Sequence, residues 1–150
     1  MNIGIIIQAR MSSQRYPGKV LAKVNNKVIL SYIIQRLEPS SNYKNLVIAT
    51  SIEESDNPIE IFCLENKVSF YRGDLANVSL RMLKASQSNN FDAFVRVNGD
   101  SPLIDSAIIN RAVKIFQKGE YDLVTNTFPR SFPVGQSVEV IRTTPFEEAV

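Results

Sequence analysis

The sequence predicts an α/β protein with a mostly parallel sheet and helices packed on it, and three features carry that reading. Strand-like and helix-like segments alternate from the first residue to Asn126, the order that right-handed crossover connections produce. The opening segment, Asn2 to Gln8, is almost wholly apolar through Ile3, Ile5, Ile6 and Ile7, as befits a strand buried on both faces. It then stops abruptly in polar residues, at the strand end where open α/β sheets place their ligands.

The elements follow in order. Val28 to Glu38 sets Ile29, Leu30, Ile33, Ile34 and Leu37 at helical spacing and is halted by Pro39 and two serines. Leu46 to Ala49 is the second strand. Asn57, Pro58 and Glu60 stand as N-cap, first-turn proline and capping-box acid, predicting a helix to about Asn66. Val68 to Tyr71 is a short strand. Leu75, Val78, Met82 and Ala85 then recur at intervals of three and four, predicting an amphipathic helix that fades at Ser88. Ala93 to Val97 is the fourth strand. Asp105 caps a helix with Ile108, Ile109, Ala112, Val113 and Phe116 inward and Gly119 as its stop. Tyr121 to Thr125 and Val138 to Ile141 are further strands, separated by a surface excursion over Thr127 to Gly135 that contains Arg130. Pro145 and Glu147, behind Thr143 and Thr144, open a helix shortly before Val150. No repeat or linker divides the chain, so residues 1–150 read as one domain.

Composition narrows the chemistry. Seventeen basic against 15 acidic side chains leave a formal charge of +2, a poor footprint for nucleic acid. The apolar run Ile3 to Ile7 falls far short of the roughly 20 residues that a bilayer requires. Arg10, Arg15 and Lys19 follow it, unlike a secretory signal, so a cytoplasmic location is expected. Cys63 is the only cysteine and histidine is absent, which rules out an internal disulfide and argues against a zinc site or a Ser-His-Asp triad. Carboxylates, Lys, Arg, backbone groups and an oxygen-ligated metal remain. Cys63, with Ile59 and Phe62, reads as a small core residue. Phe128, Phe132 and Tyr121 read as packing rather than a base-stacking platform, since cations do not interleave them.

Two segments carry chemistry. Gln8 to Lys19, at the carboxyl end of the first strand, puts Arg10, Arg15 and Lys19 among Ser12, Ser13 and a Pro17-Gly18 turn. Forked guanidinium donors, a mobile ammonium and loop amides suit a polyphosphate, although an isolated charge cluster more often simply faces water. The loop is not a Walker A motif, because Gly18-Lys19 is followed by Val20, and no GxGxxG follows the strand. The second segment, Val97 to Asp105, follows the fourth strand. Asp100 beside Gly99 suits a hard cation such as magnesium bridging to phosphates, although Asn-Gly-Asp is also a common turn.

Together the segments resemble the cytidylyltransferase family that activates acidic sugars. The resemblance rests on Ala-Arg-Met-Ser-Ser-x-Arg-x-Pro-Gly-Lys-Val-Leu at Ala9 to Leu21 and on Gly-Asp-x-Pro-Leu-Ile-Asp at Gly99 to Asp105. Ile48 to Ser51, Phe70 to Gly73 and Val138 to Val140 support it, and it covers essentially the whole chain. It is closest to the spore coat polysaccharide biosynthesis cytidylyltransferases, then to the acylneuraminate and 3-deoxy-manno-octulosonate enzymes.

The resemblance implies a Rossmann-like nucleotide-diphospho-sugar transferase fold with helices on both faces of the sheet. It implies a soluble enzyme that uses CTP, a sugar acid and Mg²⁺, makes a CMP-sugar for surface polysaccharide or glycan, and releases pyrophosphate. Arg10, Arg15 and Lys19 would hold the triphosphate and act in catalysis. Ala9, Ser12 and Asn98 would help place the nucleotide, and Asp100 would bind the metal. Ser137 stands where relatives often carry an aspartate, leaving Glu139 as the nearest downstream carboxylate. Relatives continue beyond this point, so the chain is expected to be truncated at its C-terminus, with part of the sugar-acid pocket and of the usual homodimer surface missing. Arg72, Arg81 and Arg96 are candidates for the sugar carboxylate, with surface ion pairs as the competing explanation. The alternatives are a same-fold enzyme using another nucleotide, which usually has a glycine-rich first loop, and a non-catalytic nucleotide-binding module.

Overall fold

The computed structural model describes all 150 residues. Its central sheet has six strands: β1 (Ile3–Gln8), β4 (Leu46–Ser51), β5 (Ser69–Gly73), β6 (Ala93–Asn98), β7 (Leu123–Thr125) and β8 (Glu139–Arg142). The order across the sheet is β5-β4-β1-β6-β8-β7. The first four of these are parallel, with Ile7 opposite Ile48 and Gln8 opposite Asn98. A two-stranded hairpin, β2 (Lys23–Val24) and β3 (Lys27–Val28), leads into the first helix.

Alternation along the strands builds two cores. Ile3, Ile5 and Ile7 point to one face, where α1 (Ile29–Leu37), α2 (Asn57–Glu65) and α4 (Ser106–Gln117) bury Leu30, Ile33, Ile59 and Ile109 against them. Ile6, Val47, Ala49 and Phe94 point to the other, against Met82 and Ala85 of α3 (Val78–Ser88) and Phe146 of α5 (Thr143–Ala149). Phe94 and Phe146 meet edge to face with centroids 5.5 Å apart. Ile3, Ile5, Ile6 and Ile7 are at most 1% exposed, and each such side chain contributes about 1.5–3 kcal/mol of burial free energy. The helices therefore lie on both faces, as expected. No helix is long and apolar enough to cross a membrane.

Several local expectations are corrected. β8 runs antiparallel to both β6 and β7, a reversal that apolar alternation does not encode. The hairpin β2–β3 was not expected, yet Asn25 and Asn26 both adopt positive φ, the conformation that a two-residue type I′ connection demands. Asn57 is the first residue of α2 rather than its cap, and Glu60 forms an ion pair with Arg72 instead of a capping box. α3 begins at Val78, later than Leu75, because the Asn77 side chain accepts from the Leu80 amide and fixes the start there. Phe128 is 89% exposed and Tyr121 51% exposed, so neither packs in the core; they lie on the edge-strand hairpin.

Other expectations agree. Asp105 caps α4 by accepting from the Ala107 amide at 2.8 Å. Cys63 is fully buried, and burial, with a smaller contribution from the Glu60 charge, pushes its thiol up to about 12, leaving it unreactive at neutral pH.

Candidate active site

The loop that leaves β1 closes on itself around one carbonyl. Both Ser13 N and Gly18 N donate to Met11 O, each at 2.8 Å. Gly18 takes φ +73°, a conformation that costs other residues strain, and turns the chain into the short 3₁₀ helix Lys19–Leu21. From below, the fully buried Asp56 carboxylate accepts from the Met11 amide at 2.6 Å, from the Ser51 amide at 3.2 Å and from the Ser51 hydroxyl. A residue just ahead of α2 thus ties the loop to the end of β4.

That anchor yields an expected outcome. Asp56→Ala leaves the Met11 and Ser51 amides without their acceptor, at about 1–3 kcal/mol for each orphaned buried group. Urea unfolding should show a lower midpoint at unchanged slope. An unaltered midpoint would mean that the carboxylate does not hold the loop.

Opposite the loop, Gly99 follows β6 and donates its amide to Gln8 O at 2.8 Å. A Cβ at this position would lie 2.8 Å from Gln8 O and 3.0 Å from Ala9 Cβ, so only glycine lets the two strand ends approach this closely. Asp100 is thereby delivered against the loop, where it forms an ion pair with Lys19.

The two segments enclose a cavity of about 530 Å³ at the carboxyl rim of the parallel strands. Arg10, Arg15, Lys19, Asn98 and Asp100 all line it. The ion pairs of the molecule are Lys19–Asp100, Arg72–Glu60, Arg96–Glu139 and Arg142–Asp122, so Arg10 and Arg15 have no carboxylate partner. A pair as exposed as Lys19–Asp100 is worth about 0–1 kcal/mol, and an incoming anion or cation can separate it cheaply. The cavity is cationic overall and has room for a polyphosphate.

The other candidates fall elsewhere. Ala9 is buried and its amide is committed to Ala49 O, while Ser12 is exposed and outside the cavity lining; Ser13 and Gln14 line it instead. Arg72 and Arg96 are accounted for by their ion pairs, and Glu139 is taken by Arg96. Arg81 departs from the ion-pair explanation. It is 1% exposed, donates through Nη1 to the carbonyls of Asp74 and Leu75, and keeps Nε and Nη2 without partners. Burial first, and the charge of Arg10 second, lower its pKa from the ordinary arginine value. Sequence reasoning missed Asp56, and it gave no separate role to Gln8, which opens the candidate stretch and lines the cavity with a buried Oε1 that accepts no bond.

Strand order and site together define an open α/β protein whose crevice lies at the carboxyl ends of β1 and β6, where such sheets bind their ligands. A sequence model of the cytidylyltransferase family matches residues 4–147. The chain is 32% identical over 146 residues to the spore coat polysaccharide biosynthesis protein SpsF of Bacillus subtilis, covering 93% of this chain and 59% of that protein. It is 30% identical over 130 residues to an 8-amino-3,8-dideoxy-manno-octulosonate cytidylyltransferase of Shewanella sp. (strain ANA-3), covering 83% of this chain and 52% of that one. The solved structure of a cytidylyltransferase from Leptospira borgpetersenii superposes with a TM-score of 0.94 at 36% identity, covering 99% of this chain and 63% of the other.

The chain belongs to the cytidylyltransferase family, a family of enzymes. It spans between about half and two thirds of the length of these relatives.

Proposed function

We propose that this chain transfers a cytidylyl group from CTP to an acidic sugar and releases pyrophosphate, in the synthesis of a surface polysaccharide or glycan. The observation that carries the reading is the convergence of Arg10, Arg15 and Lys19 with Asp100 around one cavity at the strand ends. Arg10 and Arg15, free of carboxylates, hold the triphosphate by charge-assisted hydrogen bonds, and Lys19 reaches it once its pair with Asp100 opens. Asn98, which lines the same cavity, positions the nucleoside. The sugar hydroxyl attacks the α-phosphorus in line, its proton leaves to solvent, and the bond to the bridging oxygen breaks. Negative charge grows on the departing diphosphate, and the fixed cations stabilise it without reorganising.

The donor set fits magnesium. No three of the Asp, Glu and Cys side chains cluster as a metal cage, so the site suits a cation that draws its ligands largely from phosphate and water. Asp100 would hold the ion, with Asn98 and Ser137 oxygens lining the same space. Bound there, the ion would neutralise developing phosphate charge.

A second reading, nucleotide binding without turnover, is favoured by the hydroxyl of Ser137 lining that space with no second carboxylate. Pyrophosphate release measured with each nucleoside triphosphate, Mg²⁺ and a panel of sugar acids separates the two. CTP-dependent release that requires a sugar acid supports transfer. CTP binding with no release selects the second reading, and release with another nucleotide reassigns the base.

A further inference from the structure

By anchoring the loop after β1, Asp56 also sets a buried negative charge directly beneath the segment that carries Arg10. The carboxylate accepts from the Met11 amide at 2.6 Å and takes part in none of the four ion pairs. Left alone, such a charge would draw the Arg10 guanidinium inward and repel a phosphate above the loop. Arg10 instead lines the cavity without a carboxylate partner.

Arg81 is the cation placed to prevent that collapse. Asp56 meets β4 through the amide and hydroxyl of Ser51, and Ser51 is the register partner of Gly73 on β5. Gly73 in turn lies against Arg81, since a Cβ there would fall 3.1 Å from Arg81 Cγ. Val47 and Ala49 face α3, so alternation turns the Ser51 side chain to the same side. The buried anion and the buried guanidinium thus share one face at the ends of β4 and β5. After burial, Arg10 is the largest charge acting on Arg81 and lowers its pKa, while Asp56 and then Asp74 raise it. Asp74 is exposed and its Oδ1 accepts from the Asn77 amide at 2.6 Å, which leaves Asp56 as the buried counter-charge.

The hydrogen bonds of Arg81 do not account for a charge at this depth. Nη1 serves the carbonyls of Asp74 and Leu75 on a turn that water can reach, and Nε and Nη2 serve nothing. A buried cation with unmade bonds lowers stability.

We infer that Arg81 is a positioning residue: its charge offsets that of Asp56 beneath the loop and so leaves Arg10 turned into the cavity to meet phosphate. The inference rests on the polyphosphate reading of that cavity, and the two can fail separately. Titration calorimetry without metal measures binding of inorganic pyrophosphate and of CTP to the unaltered chain, to Arg81→Met and to the double variant Arg81→Met with Asp56→Asn. Arg81→Met should bind both anions about 10-fold more weakly. Its urea midpoint should be no lower than that of the unaltered chain, because an apolar side chain replaces a buried charge with unmade bonds. Adding Asp56→Asn should recover most of the lost affinity, since the charge that Arg81 offsets is gone while an acceptor for the Met11 amide remains. The Nε–H resonance of Arg10 should move in Arg81→Met and return in the double variant.

Undiminished anion binding by Arg81→Met overturns the assignment, and so does an Arg10 resonance that stays in place. A folded double variant that binds no better than Arg81→Met, or a lowered urea midpoint in Arg81→Met, marks Arg81 as structural and also overturns it. Should the double variant unfold, the affinity, midpoint and Arg10 resonance of Arg81→Met decide. An unaltered chain that binds neither anion sinks the polyphosphate reading and takes this inference with it, whereas equal binding by the unaltered chain and Arg81→Met sinks the inference alone.

Discussion

Lys19→Ala is expected to lower CTP-dependent pyrophosphate release by about 10²–10³, the usual cost of removing one donor that stabilises developing charge. The side chain sits at the first turn of the 3₁₀ helix behind Gly18, is only part exposed, and is the one loop cation already engaged with a rim carboxylate. Its removal should leave folding intact, because the Lys19–Asp100 pair is worth no more than about 1 kcal/mol and the loop is closed by backbone bonds to Met11 O. Steady-state kinetics beside a urea melt make the test. Normal stability with normal turnover would remove Lys19 from the reaction, and a lowered melting midpoint would show that the side chain is structural.

Asp100→Asn should act in opposite directions on binding and on turnover. With Mg²⁺ present, release should fall by about 10²–10³, since the carboxylate that would hold the ion is gone. Without any metal, CTP should bind more tightly than to the unaltered chain, because a negative charge no longer faces the triphosphate and Lys19 is freed from its partner. Titration calorimetry with and without Mg²⁺ reads both limbs. Weaker metal-free binding would show that Asp100 contacts the nucleotide favourably in its own right, and unchanged magnesium dependence would place the ion elsewhere.

Much of this architecture is legible in the residues because apolar period and burial are the same information. Ile3 to Ile7 announce a strand covered on both faces, and Ile108 through Phe116 announce a helix with one buried stripe; both form as read. The chemistry-bearing ends of β1 and β6 are legible for a related reason, since charged residues directly after a buried strand have few places to go but the rim. What escaped depends on distant partners. Asp56 looks like one more polar residue ahead of a helix, and nothing nearby reveals that it accepts from an amide 45 positions earlier. Glu60 has the spacing of a capping acid but meets Arg72, which only the pairing of β4 with β5 brings within reach. Arg81 looks like a surface cation on an amphipathic helix, yet it lies beneath Gly73, whose missing side chain leaves space for its stem. The direction of β8 is likewise a property of the assembled sheet.

The reversal of β8 has a consequence for how the rim is built. Because β7 and β8 run in opposite senses, the segment joining them emerges beside the ends of β1 and β6 without any crossover helix. The rim segment that carries Arg130 is thus mounted on a hairpin tip at the margin, while the loop with Arg10, Arg15 and Lys19 follows a middle strand. Doubling the length of such a tip costs only about 0.6 kcal/mol in closure entropy. Grafting a longer or differently charged tip onto Asn126 and Val138 should therefore change that margin and leave the cation-lined cavity undisturbed.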